Sequence, residues 1–348
     1  MTRVVLLHAY SAANRGDGLL VDEALALVRE AFIDNPQITL VARAPETFTS
    51  TGAVVLTAPP GPAFLRDLPR ILTAWRRADI LVGVGGGYAR GGHPLAFLKF
   101  LVGHGWQLGL ARARGSRAVY LPQSVGPYHR AIWPVIRWAY GGLALAAVRD
   151  GRSLADLRLA PESRFPDCAV LSLDAIPAAS AVDSVPVFTA RPTGPRGDVR
   201  CLALAARLGQ FDSFVQSATL GNDDTAFVRQ LGARAVVPAE EMLTSNGPRR
   251  VVVAVRLHAA LMALRAGHFV IHLSYERKGF GAFQDLGLDE WVHNVNDVDI
   301  EVVAGQVQEL LASPVTRARY AAAVAAAMPS AQSHRQRLVQ HLRSAGRA

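Results

Sequence analysis

The feature that most constrains the fold is an alternation of short apolar runs with helical patterns along the whole chain. Runs such as VVLLHA, DILVGV, RAVYLPQ and VVVAV show no alternation of polar and apolar residues, and amphipathic segments separate most of them. A strand that is apolar on both faces must be covered on both, as in a parallel sheet flanked by helices. We therefore predict an α/β fold built on doubly wound parallel sheets.

A proline-rich stretch divides this alternation into two halves. Prolines at positions 177, 186, 192 and 195 interrupt any helix between Asp174 and Asp198, and the alternation then resumes. The chain of 348 residues also exceeds what one hydrophobic core usually covers. We predict two Rossmann-like domains, 1–180 and 181–348, the second ending in C-terminal helices. We expect them to face each other across a cleft at the carboxyl ends of their strands.

Positive charge is concentrated in one part of the chain. The formal net charge is +9, and no Asp or Glu occurs from Ile80 to Arg149, which holds eight Arg and Lys residues. Such a stretch attracts anions, whether a phosphorylated small molecule, nucleic acid or an anionic membrane face, or it is simply a solvated basic surface. Neither interleaved aromatic residues nor a known binding module supports nucleic acid as the partner.

Cysteine and histidine usage excludes several classes of site. Two cysteines cannot build a disulfide framework, and the ten histidines lack the spacing of a zinc site, so we expect neither a metal nor a cofactor. The apolar run VVLLHAY is too short to span a membrane and lacks a signal-peptide cleavage pattern. We expect a cytoplasmic protein.

A glycine run follows a predicted strand in ILVGVGGGYARGGHP. Gly86 and Gly87 would let a ligand approach backbone N–H groups closely, next to a helix start that favours anions. The run matches neither the dinucleotide fingerprint nor the phosphate-binding loop of nucleotidases. The alternative is a tight turn between a strand and a helix.

Three other segments place polar groups after predicted strands. In NRGDG, Asp17 could cap a helix or serve as a catalytic carboxylate, with Asn14 beside it. LPQSVGP supplies Gln123 and Ser124, which can bind sugar hydroxyls. VRDGRS supplies Arg149 at the end of a strand.

The run VVVAVRLHAALMAL places Arg256 and His258 at the joint of a predicted strand and helix. A guanidinium can hold a carboxylate or phosphate with two hydrogen bonds, and an imidazole can move a proton. A lone histidine there is more often a core residue, but SYERKGF, with Tyr275 and Lys278, ends the next predicted strand. Lys278 is one of only two lysines against 35 arginines, which suggests a role for its compact ammonium.

In this order the segments resemble the polysaccharide pyruvyl transferase family. The matching elements are NRGD, GVGGG, PQSVGP, RDGRS, FPDCAV, VRLHAALMALRAG and YERKGF, from Asn14 to about Phe280. Four positions depart from the family's usual residues and put the acceptor in doubt more than the donor, namely Gly18, Pro122, Cys168 and His268.

The resemblance implies a fold like that of GT-B glycosyltransferases, with the acceptor on the first domain and the donor on the second. It implies transfer of pyruvate from phosphoenolpyruvate to two hydroxyls of a sugar of a cell-surface polysaccharide or its lipid-linked precursor, as a ketal. Arg256 and Arg149 would then bind the donor, Lys278 would neutralise the departing phosphate, and His258, or alternatively Asp17, would act as acid or base. His93, just past the glycine run, is a further candidate for the donor pocket.

Two rival interpretations remain open. One is a GT-B glycosyltransferase that uses a nucleotide sugar, and the other is a non-catalytic binding protein of envelope biosynthesis. The acceptor sugar, its linkage to lipid, peripheral contact with the inner membrane face and self-association are also left open by the sequence.

Overall fold

The structure is a computed structural model that describes residues 1–176, 182–219, 222–243 and 247–348. The chain divides into two compact units. Unit 1 comprises Met1–Ala12, Asp17–Leu171 and Gln332–Ala348, and unit 2 comprises Ala13–Gly16 and Ser172–Ala331. The predicted boundary at residues 180 and 181 lies outside the described residues, and the division between the units falls at Leu171 and Ser172.

The sheet of unit 1 has seven parallel strands in the order β3-β2-β1-β4-β6-β5, with β7 also paired to β6. The strands are β1 (Arg3–Ala9), β2 (Gln37–Ala42), β3 (Val54–Thr57), β4 (Ile80–Gly83), β5 (Gly86–Gly91), β6 (Ala118–Tyr128) and β7 (Leu145–Val148). The helices are α1 (Arg15–Ala31), α2 (Pro62–Arg77), α3 (Pro94–Phe100), α4 (Trp106–Arg114), α5 (Trp133–Gly141), α6 (Gly151–Leu157) and α7 (Cys168–Leu171). A π-helical turn, Leu101–Gly105, joins α3 to α4.

The apolar runs of unit 1 form its buried strands, as the sequence predicts. Every residue of β1 after Arg3 is buried, and so is all of β4. The glycine run differs from the prediction, because it leads from β4 into β5 instead of a helix. The first half of β6 pairs with β4 and its second half with β5, so PQSVGP lies within β6 and not after it.

Unit 2 contains a six-stranded parallel sheet in the order β12-β9-β8-β13-β14-β15 and a short antiparallel pair, β10-β11. The strands are β8 (Val187–Thr189), β9 (Asp212–Ser213), β10 (Ala218–Thr219), β11 (Asn222–Asp223), β12 (Ala235–Val236), β13 (Val251–Ala254), β14 (Phe269–Ser274) and β15 (Val292–Asn294). The helices are α8 (Pro195–Leu208), α9 (Thr225–Gln230), α10 (Ala239–Met242), α11 (Leu257–Arg265), α12 (Arg277–Asp285), α13 (Ile300–Ala312) and α14 (Pro314–Arg347).

Strand β13 lies in the middle of the second sheet, paired with β8 and β14. Its four residues are fully buried. Since parallel strands end at the same edge of a sheet, the segments after β8, β13 and β14 are neighbours. These segments carry the polar residues described below.

The end of α14 differs from the predicted domain assignment. Residues Gln332–Ala348 group with unit 1, although the sequence assigned all C-terminal helices to the second domain. The physical reason is a set of hydrogen bonds to α1, in which Arg335 Nε donates to Glu30 at 2.8 Å and Arg343 Nε donates to the carbonyl of Ala31 at 3.1 Å. Within the part of the chain that the structure describes, no helix is long and apolar enough to cross a membrane.

Candidate functional site

A buried ion pair fixes the guanidinium of Arg256 at the carboxyl end of β13. Its Nε donates to Asp224 Oδ2 at 2.5 Å and its Nη2 donates to Asp224 Oδ1 at 2.6 Å, which is a bidentate arrangement. Nη2 also donates to Asn222 Oδ1 at 2.9 Å. Burial raises the pKa of Asp224, and the hydrogen bonds from Arg256 oppose that shift. The guanidinium is therefore rigidly oriented, with part of its charge offset.

The imidazole of His258, in the first turn of α11, lies against the backbone of Gly16. Both residues belong to unit 2. A Cβ placed on Gly16 would lie 2.6 Å from His258 Nδ1 and 2.8 Å from its Cβ, so only glycine fits there. Asn14 forms a β-bridge with Ser217, and its side chain accepts a hydrogen bond from Gly16 N at 3.2 Å. The start of the NRGD motif, from Asn14 to Gly16, therefore packs beside His258.

The same hydrogen bond makes Asn14 the cap of α1. The sequence suggested that Asp17 might hold this position in a helix starting at Gly18, but α1 starts at Arg15, so Asp17 lies within the first turn. A carboxylate there is favoured by the helix dipole. The structure assigns Asp17 to unit 1 and Asn14 to unit 2.

Arg191, which sequence reasoning missed, joins this cluster from the segment after β8. Its guanidinium carbon lies 5.6 Å from the centroid of the Tyr275 ring. Burial raises the pKa of Tyr275 and Glu276 adds to the shift, whereas Arg191 and Arg256 oppose it. In the sequence, Arg191 stands out only by its position just after a predicted strand. The sequence alone does not show that this strand, β8, pairs with β13.

Lys278 lies in the first turn of α12 and pairs with Glu276, with 2.8 Å between Nζ and Oε2. Its side chain is 17% exposed. His272, at the end of β14, donates a hydrogen bond from Nδ1–H to the carbonyl of Ala254 at 2.8 Å. Burial lowers the pKa of His272 to about 4; the hydrogen bond to Ala254 opposes this shift, and the charge of Lys278 adds to it. His272 is therefore neutral near pH 7.

In unit 1, Arg149 is almost fully buried at the end of β7. Its Nε donates to Ser124 Oγ at 3.0 Å and its Nη1 forms an ion pair with Asp167. Its Nη2 has no hydrogen-bond partner among the described residues. A Cβ placed on Gly87 would lie 3.5 Å from this nitrogen and 3.1 Å from Arg90 Nη2. Two guanidinium groups thus flank Gly87, and one of them retains an unused donor.

The remaining predicted residues of unit 1 have structural contacts. Gln123 is fully buried, pairs in register with Gly86 and accepts a hydrogen bond from the Tyr140 hydroxyl at 3.3 Å. His93 is exposed and caps α3, where its Nδ1 accepts from Leu95 N at 3.3 Å. The structure brings Gly87, Ser124 and Arg149 together, and His93 has no described contact with them.

Sequence reasoning also missed a buried polar cluster on His8, which lies inside the apolar run of β1. His8 Nε2 is hydrogen-bonded to the Tyr120 hydroxyl at 2.6 Å, and its Nδ1 to His104 Nδ1 at 3.2 Å. Burial lowers the pKa of His8, and His104 adds to the shift. His104 also lines a cavity of about 550 Å³ whose basic residues are Arg43, Arg90 and Lys99. No pattern in the sequence distinguished His8 from a core residue.

Both units have the parallel Rossmann-like sheets of GT-B glycosyltransferases. The chain is similar to UGT2 of Phytolacca americana, solved with UDP-2-fluoro-glucose and pterostilbene, at 12% identity and a TM-score of 0.54 over 100% of both chains. It is similar to the glycotransferase of kitacinnamycin at 15% identity and a TM-score of 0.50 over 98% of both. It is similar to the spinosyn rhamnosyltransferase SpnG at 16% identity and a TM-score of 0.50 over 98% of this chain and 100% of that one. These likenesses show the fold alone and confirm the predicted fold class.

The chain belongs to the polysaccharide pyruvyl transferase family, whose model matches residues 14–277. The resemblance seen in the sequence is thereby confirmed, and the protein is a transferase. No curated protein matches the chain.

Proposed function

We propose that this protein transfers pyruvate from phosphoenolpyruvate to two hydroxyls of a saccharide as a cyclic ketal, in the biosynthesis of a cell-surface polysaccharide. The family supports the transferase class. The observation that carries the finer proposal is the pairing of Arg256 and His258 at the carboxyl end of β13. There a bidentate ion pair orients the guanidinium, and the imidazole lies against Gly16.

The reaction sets clear chemical demands. A proton adds to the methylene carbon of the enol, which becomes a methyl group, and the adjacent carbon takes on oxocarbenium character. The first sugar hydroxyl adds to that carbon, the C–O bond to phosphate breaks, and the second hydroxyl closes the ketal. The two hydroxyls lose two protons, of which one replaces the proton given to carbon and the other leaves with phosphate. A proton donor, a proton acceptor and fixed cations are therefore needed.

We assign the proton transfer to His258, with Asp17 as the alternative, and donor binding to the cations of unit 2. Asp224 offsets part of the charge of Arg256, and Glu276 offsets that of Lys278. Arg191 forms no ion pair with any carboxylate that the structure describes, so it adds net positive charge beside Tyr275. This balance suits a ligand that carries both a phosphate and a carboxylate. Lys278 then stabilises the departing phosphate.

For unit 1 we propose a role in substrate binding by Arg149, Ser124 and Gly87. The unused Nη2 donor of Arg149 supports contact with an anion or a hydroxyl near Gly87. The further assignments to Asn14, Gly86, His93, Gln123 and Tyr275 stay predictions. Cys168 and Cys201 are buried free thiols, as expected in a reducing compartment, and we place the reaction in the cytoplasm.

The test is release of phosphate from phosphoenolpyruvate by the purified protein, in the presence and absence of a panel of free and lipid-linked saccharides. We expect release only with an acceptor, together with an acceptor mass increased by one pyruvate ketal. Sugar transfer from a nucleotide sugar, with no phosphate released from phosphoenolpyruvate, would overturn the proposal.

A further inference from the structure

An apolar surface of unit 1 is exposed on the segment from Leu95 to Trp138. Six large apolar side chains there are between 42% and 61% exposed, namely Leu95, Leu98, Leu101, Val102, Val135 and Trp138. Apolar groups this numerous in one segment are unusual on a surface that contacts only water. We call these six residues the apolar surface.

The six side chains lie on α3, the π-helical turn that follows it, and α5. Leu95, Leu98 and Val102 are spaced by three and four residues along α3 and the π-helical turn, so they share one helical face. Leu101 lines a cavity of about 240 Å³ together with Val135 and Trp138 of α5. Leu101, which precedes Val102 in the chain, thus lies beside the exposed side chains of α5.

The charged residues of the segment that carries the apolar surface are all positive. The guanidinium carbon of Arg112 lies 4.7 Å above the Trp138 ring, and that of Arg137 lies 5.6 Å from the Trp133 ring. Lys99 is exposed between the apolar positions of α3. Since no acidic residue occurs from Ile80 to Arg149, no carboxylate of this segment offsets these cations. Basic side chains beside exposed aliphatic and tryptophan side chains are typical of proteins that bind the boundary of an anionic bilayer.

We propose that the apolar surface docks onto a membrane containing anionic phospholipids. The aliphatic side chains and Trp138 enter the boundary between headgroups and acyl chains, while Lys99, Arg112 and Arg137 bind lipid phosphates. The charge complementarity favours an anionic bilayer over an uncharged apolar partner.

Docking there would bring a lipid-linked acceptor close to unit 1. Leu98, Lys99 and Val102 also line the cavity of about 550 Å³, whose wall includes Arg43 and Arg90. A diphosphate with an apolar chain matches this combination of cations and apolar lining. This last link rests on the proposed function, whereas the docking itself does not.

Co-sedimentation of the full chain with vesicles tests the proposal. We expect binding to vesicles of phosphatidylcholine and phosphatidylglycerol, weakening with salt, and little binding to phosphatidylcholine alone. The double variant Leu95→Ser, Val135→Ser should weaken binding by roughly tenfold or more, because two apolar side chains no longer insert. Its matched control is Val54→Ser, Leu65→Ser, which changes two side chains of unit 1 with similar exposure outside the surface and should bind as the unchanged protein does.

Absence of binding to anionic vesicles at low salt would overturn the proposal, as would equal loss in both double variants. So would self-association, measured by light scattering, that disappears in the Leu95→Ser, Val135→Ser variant while vesicle binding is unchanged. Vesicle binding without phosphate release from phosphoenolpyruvate would support the docking and count against the proposed function alone.

Discussion

The imidazole of His258 packs so closely against Gly16 that a Cβ at position 16 would lie 2.6 Å from its Nδ1. The absence of a side chain at this glycine of the NRGD motif leaves the room that the imidazole occupies. Two segments separated by more than two hundred residues in sequence thus meet in unit 2. The contact explains why a motif near the amino terminus bears on a histidine of α11. It also makes the position of His258 testable without changing the histidine itself.

Gly16→Ala should displace the imidazole of His258, because the added Cβ would lie 2.6 Å from Nδ1 and 2.9 Å from Cγ of that ring. We expect a fall of about tenfold or more in the turnover number for phosphate release, with a smaller change in the KM for phosphoenolpyruvate. Initial rates over a range of donor concentrations measure both. Gly305→Ala, where a Cβ would meet nothing within 4 Å in the helix α13, is the control and should retain full turnover.

Arg256→Ala should remove donor binding and also leave the buried carboxylate of Asp224 without its hydrogen-bonded counterion, with only the charge of Arg191 acting on it. Breaking such a pair costs about 3–5 kcal/mol of the free energy of unfolding. Adding Asp224→Asn should restore part of that stability, because a neutral amide replaces the carboxylate, but should not restore phosphate release. Denaturant unfolding and initial rates separate the two effects, and a fully active double variant would contradict the role of Arg256.

Lys278→Arg should lower the rate of phosphate release by about tenfold, because a planar guanidinium cannot replace the compact ammonium beside Glu276. Arg207→Lys provides the comparison, since it keeps the charge of an exposed ion pair with Glu301 and should leave the rate unchanged. Equal rates in both variants would remove the assigned role of Lys278.

The free energy of unfolding should depend on pH through the lowered pKa values of the buried histidines. Burial lowers the pKa of His272 to about 4, below its usual value of 6.5, so between these values the unfolded chain binds a proton that the folded chain does not. The free energy of unfolding should therefore fall as the pH drops from about 6.5 to about 4, by at most about 1.4 kcal/mol per pH unit for each such histidine. His272→Asn should reduce this slope, and denaturant unfolding at pH 7, 5.5 and 4.5 measures it. An unchanged slope would contradict the assignment.

The parts of the fold that the sequence predicts are those that depend on local pattern. The run VVVAV becomes the buried central strand β13, and Arg256 and His258 lie just after it, because a short continuous apolar run rich in β-branched residues favours a strand covered on both faces. The contacts of these residues were not predictable in this way. Asp224 reaches Arg256 from 32 residues away, and Gly16 reaches His258 from unit 2's short amino-terminal segment.

Other features depended on pairing that a local pattern does not encode. The glycines before Tyr88 are compatible with a turn and with the start of strand β5. The strand forms because β6 is long: its first half pairs with β4, and its second half is left to pair with β5. His8 looks like a core residue until Tyr120 and His104 are placed beside it. The sequence therefore predicts where strands end better than it predicts which side chains the residues at those ends contact.

The central claim is that phosphoenolpyruvate supplies the transferred group, and carbon-13-labelled phosphoenolpyruvate tests it most directly. Incubated with the protein and an accepted saccharide, it should yield a saccharide that carries the labelled pyruvate ketal, with one phosphate released for each ketal formed. Arg256→Ala and Gly16→Ala should lower both products together. A saccharide that gains no label while phosphate accumulates, or that gains a sugar from a nucleotide sugar, would contradict the account.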